Sequence, residues 1–450
     1  MAGRRQAGVV ADEPRERVFE RVAAVDVAKK DGVVCARLPG ASGQRLSRFW
    51  TVTATAGAVS ELAGQLAELG VQKVTLESTS DYWRIWFYLF EAAGLDVQLV
   101  SASQAKQLSG RPKTDKLDAI WLARLTEMGM LRPSFVPPAG IRALRQYART
   151  RTHLVQDKTR AWARIEKILE DALIKLSSVA SKMTTASVRD MLGSLVAGER
   201  DPQVLAGLAR TRMKAKHAAL AAALDGKFEE HHAEIIRVLL AQVDLLQEQV
   251  TRLDMLIAEQ LASLPGAWGA DPDGVTGPDA GAGDLAAALP ADARLDEVPG
   301  ISPELARSII SETGLDMTRF PTPGHLVSWA GLCPRTLQSG TRSKTGKKPG
   351  NAYLRGYLGQ AAAGAAGTST FLGERHARIA RRRGNAKAQV ATARTILVII
   401  WHLLSDRDAR YHELGPDHYQ QRTDKHKKTR QHVRQLEALG YTVTLTQAAA

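Results

Sequence analysis

Cys35 and Cys333 are the only thiols in 450 residues. Two cysteines exclude a disulfide framework and the ligand spacing of a zinc finger. Cys35 lies in the apolar run VVCARL and reads as a core residue. No apolar run reaches the length of a membrane span. The most apolar late stretch, TILVIIWHLL, is too short to cross a bilayer and reads as a buried helix. The N-terminus lacks the apolar core of a signal peptide. These absences predict a chain with no membrane partner, in a reducing, cytoplasmic setting. There is no internal repeat.

Acidic residues are in deficit, 47 against 61 Lys and Arg, for a net charge of +14. Such a surplus suits a nucleic acid or an anionic membrane surface, or simply a basic soluble enzyme. The apolar share, 44%, is that of a globular protein, and the length suffices for two or three domains.

Residues 1–17 read as a disordered tail. From Val18 the pattern is β: RVAAVDVA and VVCARL flank Lys29-Lys30-Asp31-Gly32, a hairpin signal. A helix over Ala58–Leu69, a strand over Val71–Leu76, a helix over Tyr82–Ala93 and a strand over Asp96–Val100 follow. This alternation predicts an α/β first domain, 18–140, with a mixed sheet and helices on its faces. Residues 141–264 lose the β signals. Ile236, Leu239, Val243, Leu246, Val250, Leu253 and Ile257 recur at heptad spacing, which predicts a self-associating coiled coil or an intramolecular helix pair. Residues 265–292, rich in Gly, Pro and Asp, read as a flexible linker. A mainly helical domain, 293–405, and a basic tail, 406–450, complete the chain.

Four carboxylates stand out. Asp26 lies inside VAAVDVA and Glu77 ends VQKVTLE, both on core strands, where an unpaired charge is costly. Asp115 and Asp118 open the helical pattern KTDKLDAIWLARL, three apart and so on one face. Together they suit hard cations such as Mg²⁺, with Mn²⁺ as substitute, and two ions about 4 Å apart would serve in-line phosphoryl displacement. Taken singly, Asp115 or Thr114 reads as a helix cap, Asp118 as a partner of Lys116 or Arg124, and Glu77 as a turn residue.

In the later domain, VPGIS followed by Pro303 and Glu304 fits a helix-hairpin-helix turn, which can offer backbone N–H groups to a phosphate, or an ordinary helix connection. Ser339 stands in a Gly-rich basic loop with Arg342, Lys344, Lys347 and Lys348, as a nucleophile towards phosphate or as a turn residue. The same segment misses the P-loop spacing, with Lys348 where Ser or Thr should follow Lys347, so nucleotide binding is excluded there. Arg142, Arg145 and Arg149 recur at i, i+3, i+7, as do Arg160, Arg164 and Lys167, and one-sided basic faces suit a duplex backbone or structured RNA.

The ordered set VDVAKK, LESTSDYW, GRPKTDKLDAIWLARL, VPGIS, AGLCPRTLQSG and GNAYLR resembles the insertion sequence 110 family of transposases, over residues 20 to 440. The resemblance implies a RuvC-like domain of RNase H fold, a coiled coil and a C-terminal transposase domain. It implies that Asp26, Glu77, Asp115 and Asp118 are a DEDD metal site and that Ser339, of the Gln-Ser-Gly motif, is the nucleophile. Arg355, which closes GNAYLR, joins the candidate nucleic-acid contacts. The implied activity is DNA recombination through a serine–DNA intermediate, by a dimer or tetramer, with a structured non-coding RNA as guide in some members. The long linker and basic tail depart from compact members. A RuvC-like nuclease using water, and a non-catalytic nucleic-acid-binding protein, are the alternatives.

Overall fold

The computed structural model describes residues 6–9, 17–40, 44–78, 80–101, 115–268, 289–339, 342–347, 350–421 and 425–446. They form two compact units, Met1–Val136 and Pro137–Ala450.

The first unit has strands β1 (Gln6–Val9), β2 (Val22–Val27), β3 (Asp31–Pro39), β4 (Arg45–Thr53), β5 (Lys73–Ser78) and β6 (Val97–Ser101). Its helices are α1 (Ala56–Glu68), α2 (Arg84–Ala92) and α3 (Asp115–Glu127). The sheet order is β1-β4-β3-β2-β5-β6. The first four strands pair antiparallel, whereas β5 and β6 run parallel to β2. The hairpin β2–β3 needs only a three-residue connection. The parallel strands β5 and β6 need crossovers, which α1 and α2 supply. One sheet face packs Val25, Val34 and Leu76 against Val59, Leu66, Trp86 and Phe90 of α1 and α2. The other packs Val22, Ala24, Cys35 and Val100 against Ala119, Leu122 and Ala123 of α3. This is the mixed sheet that the alternation predicts.

Two features differ from expectation. Strand β4 is not evident in the sequence, because its inward positions Arg45 and Ser47 are polar and buried, which inverts the usual alternation. Within the stretch read as a disordered tail, Gln6–Val9 pairs with β4. An uncovered edge strand offers a row of unpaired N–H and C=O groups that such a segment can satisfy.

The second unit is mainly helical. It begins with α4 (Ala139–Asp171), α5 (Leu176–Val179), α6 (Ala186–Val196), α7 (Pro202–Gly207), α8 (His217–Leu224) and α9 (Glu230–Ala262). Helices α4 and α9, 33 residues each, lie antiparallel. Arg151 pairs with Asp254, Lys158 donates to Gln247, and His232 meets Asp171. The heptad residues Ile236, Val243, Leu246, Val250 and Ile257 are buried. Ile236 and Val243 share a cluster with Trp162, Ile165 and Leu169 of α4. Of the two readings of that stripe, the helix pair within one chain accounts for its burial.

The expected linker lies largely outside the described residues, and α10 (Ala291–Asp296) begins at its end. Then come α11 (Pro303–Thr313), α12 (Pro323–Trp329), β7 (Pro334–Ser339), β8 (Arg342–Lys347), α13 (Ala352–Ala366), α14 (Phe371–Arg383) and α15 (Asn385–Ser405). Helices α16 (His418–Gln421) and α17 (Lys425–Ala438) fall in the basic tail. The VPGIS turn joins α10 to α11. Gly300 has φ +90°, and a Cβ there would lie 2.2 Å from the Ala361 carbonyl oxygen, so this turn abuts α13. The segment TILVIIWHLL belongs to the 21-residue α15, long and apolar enough by composition to span a membrane. Its side chains Ile396, Leu397, Ile400 and Leu403 are buried, and the helix packs on α12, α13 and α14.

Candidate active site and nucleic-acid contacts

Asp26 and Glu77 are register partners on the adjacent parallel strands β2 and β5. Side chains alternate along a strand, so Asp26 continues the face of Val22 and Ala24, the face that α3 covers. Glu77 shares its face with Thr75, whose Oγ1 lies 2.7 Å from Thr126 Oγ1 of α3. Both carboxylates therefore stand on the α3 side, and both are half-buried.

Helix α3 runs back along β2. At its end, Glu127 accepts from Arg37 Nε at 2.9 Å, and Arg37 is the register partner of Val22 at the start of β2. Nine helical residues back to Asp118 span about 13.5 Å. Four strand residues from Val22 to Asp26 span about 13 Å. Asp118 thus arrives at the end of the sheet that carries Asp26 and Glu77. It precedes Leu122 by four residues and shares the sheet-facing stripe of Ala119, Leu122 and Thr126. Asp115 is the first residue of α3, and its side chain lies outside what is described. Three elements thus bring one carboxylate each to the same end of this face, and hard oxygens of this kind are the donors that divalent cations prefer.

The residues that fix α3 are not evident in the sequence. Glu127 is buried beneath Arg37 and Arg45, themselves almost fully buried. Arg45 also donates to the Glu20 carbonyl at 2.6 Å. A carboxylate removed from water needs such charged donors. The signal available was Arg37 itself, an arginine in the middle of an apolar strand.

Ser339 is the last residue of β7 and the register partner of Arg342. The basic segment expected as a loop is thus a β-hairpin. The side chains of Ser339, Arg342, Lys344 and Lys347 lie outside what is described, as does Lys348 altogether.

The arginines expected as a basic face on α4 have partners within the protein. Arg145 donates to the carbonyls of Ser311 and Glu312 at 3.0 and 2.7 Å. Arg149 grips the Glu312 carboxylate with Nε and Nη2 at 2.7 and 2.9 Å. Glu312 is completely buried, and Asn351 Nδ2 is its third donor. Burial alone would lower the Arg149 guanidinium, but its bonds to Glu312 hold it above its ordinary value. These arginines turn inward because a buried carboxylate demands them. Arg142 donates to the Pro137 carbonyl. Arg160 is exposed and pairs with Asp157, Arg164 is exposed, and Arg355 is half-buried.

Asp171, His231 and His232 bring possible ligand atoms within 4.8 Å of one another. His232 Nδ1 accepts the Glu229 N–H at 3.0 Å, and its Nε2 lies 3.2 Å from Asp171. Nδ1 thus serves the N-terminal capping box of α9, while Nε2 ties this helix end to Asp171 of α4.

Comparison with known proteins places the chain among enzymes that cut and recombine DNA. Residues 23–174 match the transposase family model DEDD_Tnp_IS110, and residues 292–377 match the transposase IS116/IS110/IS902 family. The chain belongs to the IS110 family of transposases. No curated protein matches it. Among solved structures it is similar to Thermus thermophilus RuvC, at 14% identity over 25% of this chain and 99% of that one, TM-score 0.21. It is likewise similar to T. thermophilus RuvC in complex with a Holliday junction substrate, at 13% identity with the same coverage and TM-score.

Proposed function

We propose that this transposase mobilises an insertion sequence, with Asp26, Glu77, Asp115 and Asp118 as its metal ligands and Ser339 as its nucleophile. The observation that carries this reading is the register pairing of Asp26 with Glu77 beneath the helix that bears Asp118. The sheet order, with the antiparallel run β4-β3-β2, flanked by β1, leading into the parallel strands β5 and β6, supports a RuvC-like domain of RNase H fold. A divalent ion at the carboxylates supplies Lewis acidity to a phosphoryl oxygen. The Ser339 hydroxyl loses its proton as Oγ bonds to the phosphorus of a DNA phosphodiester. The P–O bond to the leaving deoxyribose breaks, and that oxygen takes up a proton. The hairpin cations and Arg355 steady the strand as phosphate contacts.

The partners in this reading are DNA and a structured non-coding RNA that pairs with it. Each chain supplies one serine, so strand exchange calls for a dimer or tetramer. The exposed Val238, Leu245 and Met255 on the outer side of α9 support such an assembly.

Covalent trapping tests the reading. The protein is incubated with Mg²⁺, supercoiled DNA carrying the element junction and RNA transcribed from its flanks, then quenched in denaturant. An adduct absent from Ser339→Ala is expected. Cleavage without adduct would establish a water-using nuclease instead, and binding without any cleavage a non-catalytic role.

A further inference from the structure

The hairpin that ends in Ser339 leaves and re-enters the helical body at one point. A Cβ added at Gly350 would lie 2.5 Å from the Ala330 carbonyl oxygen. Beside this crossing opens a cleft of about 600 Å³, lined by Arg145 and Arg149 of α4, Trp329 of α12, and Asn351 and Tyr353 at the start of α13.

Its chemistry is that of an anion site with aromatic walls. Two guanidinium groups, those of Arg145 and Arg149, meet at one carboxylate, Glu312. Arg149 spends Nε and Nη2 on Glu312, which leaves Nη1 without an acceptor among the described residues. Its guanidinium lies 4.3 Å from the Tyr353 ring centroid. The Tyr353 hydroxyl is held in turn by His153 Nε2 at 2.8 Å. Helix α13, 15 residues long, starts in the cleft, where its first N–H groups have no intrahelical acceptor. Asn351 caps it through Oδ1 to the Leu354 N–H, while its Nδ2 donates to Glu312. One buried carboxylate therefore orients both the guanidinium and the helix end. Trp329 rests against Phe320, ring centroids 5.4 Å apart, which fixes the opposite aromatic surface.

We propose that this cleft is a nucleotide subsite. It takes one phosphate of a nucleic-acid strand on Arg149 and the start of α13, with the adjoining base against Tyr353 and Trp329. Glu312 is the positioning residue beneath it. The proposal rests on the transposase reading and deepens it. Ser339 stands at the far end of β7, about 17 Å of strand from the hairpin root. The nucleotide held here is therefore a neighbour of the scissile one, several steps along the strand.

The test uses the full chain and DNA oligonucleotides carrying 5-iodouracil at successive positions, irradiated and mapped by peptide mass spectrometry. Cross-links to the peptides containing Trp329 or Tyr353 are expected. In salt titrations, Arg149→Gln should flatten the slope of log K against log[salt] by about one. That variant leaves Glu312 undercompensated and risks the fold, so Tyr353→Leu is the second. It should weaken binding roughly tenfold. Cross-links confined to other peptides, with a folded Tyr353→Leu that binds like wild type, would overturn the subsite. If wild type still forms the Ser339 adduct in that case, the transposase reading stands alone. If the cleft cross-links as expected but wild type neither cleaves nor forms an adduct, the subsite stands and the catalytic reading falls.

Discussion

Asp26 and Glu77 stand abreast, each one residue short of its strand's C-terminal end. Neighbouring strands lie about 4.8 Å apart, so two ionised carboxylates here repel each other and a cation bound between them would relieve that repulsion.

That geometry predicts a stability signature separate from activity. Mg²⁺ should raise the Tm of the wild-type chain, by mass action on the folded state. Glu77→Gln should remain folded by circular dichroism and lose the Mg²⁺-dependent rise. It should also lose at least about a hundredfold in DNA cleavage. A Tm of Glu77→Gln that still climbs with Mg²⁺ as in wild type would count against a shared metal site.

Glu127 sets the position of α3 through Arg37 and Arg45. Its removal leaves two buried guanidinium groups without their carboxylate. Glu127→Ala should cost about 3–5 kcal/mol in urea denaturation, because breaking one partner of a buried ion pair strands the other. A loss below about 1 kcal/mol would mean that water reaches the arginines.

Burial pushes the Cys35 thiol up to about 12, with the nearby Arg37 pulling the other way. The native protein should release one thiol equivalent to a disulfide reagent at pH 8, from Cys333, and two after denaturation. A thiol with a raised folded pKa contributes stability that is complete below the unfolded value near 9. That contribution is lost as pH rises towards 12. Cys35→Ala should therefore lose less stability than wild type above pH 9, measured as urea midpoints against pH.

Gly300→Ala combines a left-handed backbone with a methyl group driven into α13. A cost of at least about 2 kcal/mol is expected, from φ strain together with overpacking. A Tm unchanged within a degree would show that the turn can lift away from Ala361 and Ala365.

The sequence carries much of the first domain in local signals. The hairpin around Lys29 and Lys30, the alternation that follows and the stripe of α3 are all written within a few residues. What escaped was written at long range. Arg37 and Arg45 meet Glu127 across some ninety residues of chain, and Arg149 meets Glu312 across more. No window of periodicity contains both partners. For that reason the arginines of α4 read as a solvent-facing basic stripe, although two of them turn inward to a carboxylate. Strand β4 escaped for a related reason, since its inward side chains are the ones these ion pairs require. Asp26 and Glu77 stand out in the sequence because each interrupts an apolar run, and their side-by-side register is a long-range fact that only the sheet supplies.

The near-contact of Gly350 with the Ala330 carbonyl carries one more consequence. Ala330 and Gly350, which bracket the segment carrying β7 and β8, lie against each other, so the body closes this loop whatever its length. Lengthening a closed loop costs little, about 0.6 kcal/mol per doubling. The limb that carries Ser339 can therefore grow, shrink or be exchanged between relatives without refolding the helices beneath it. Reach towards a given DNA target becomes a property that evolution, or a protein engineer, can tune by grafting twenty residues.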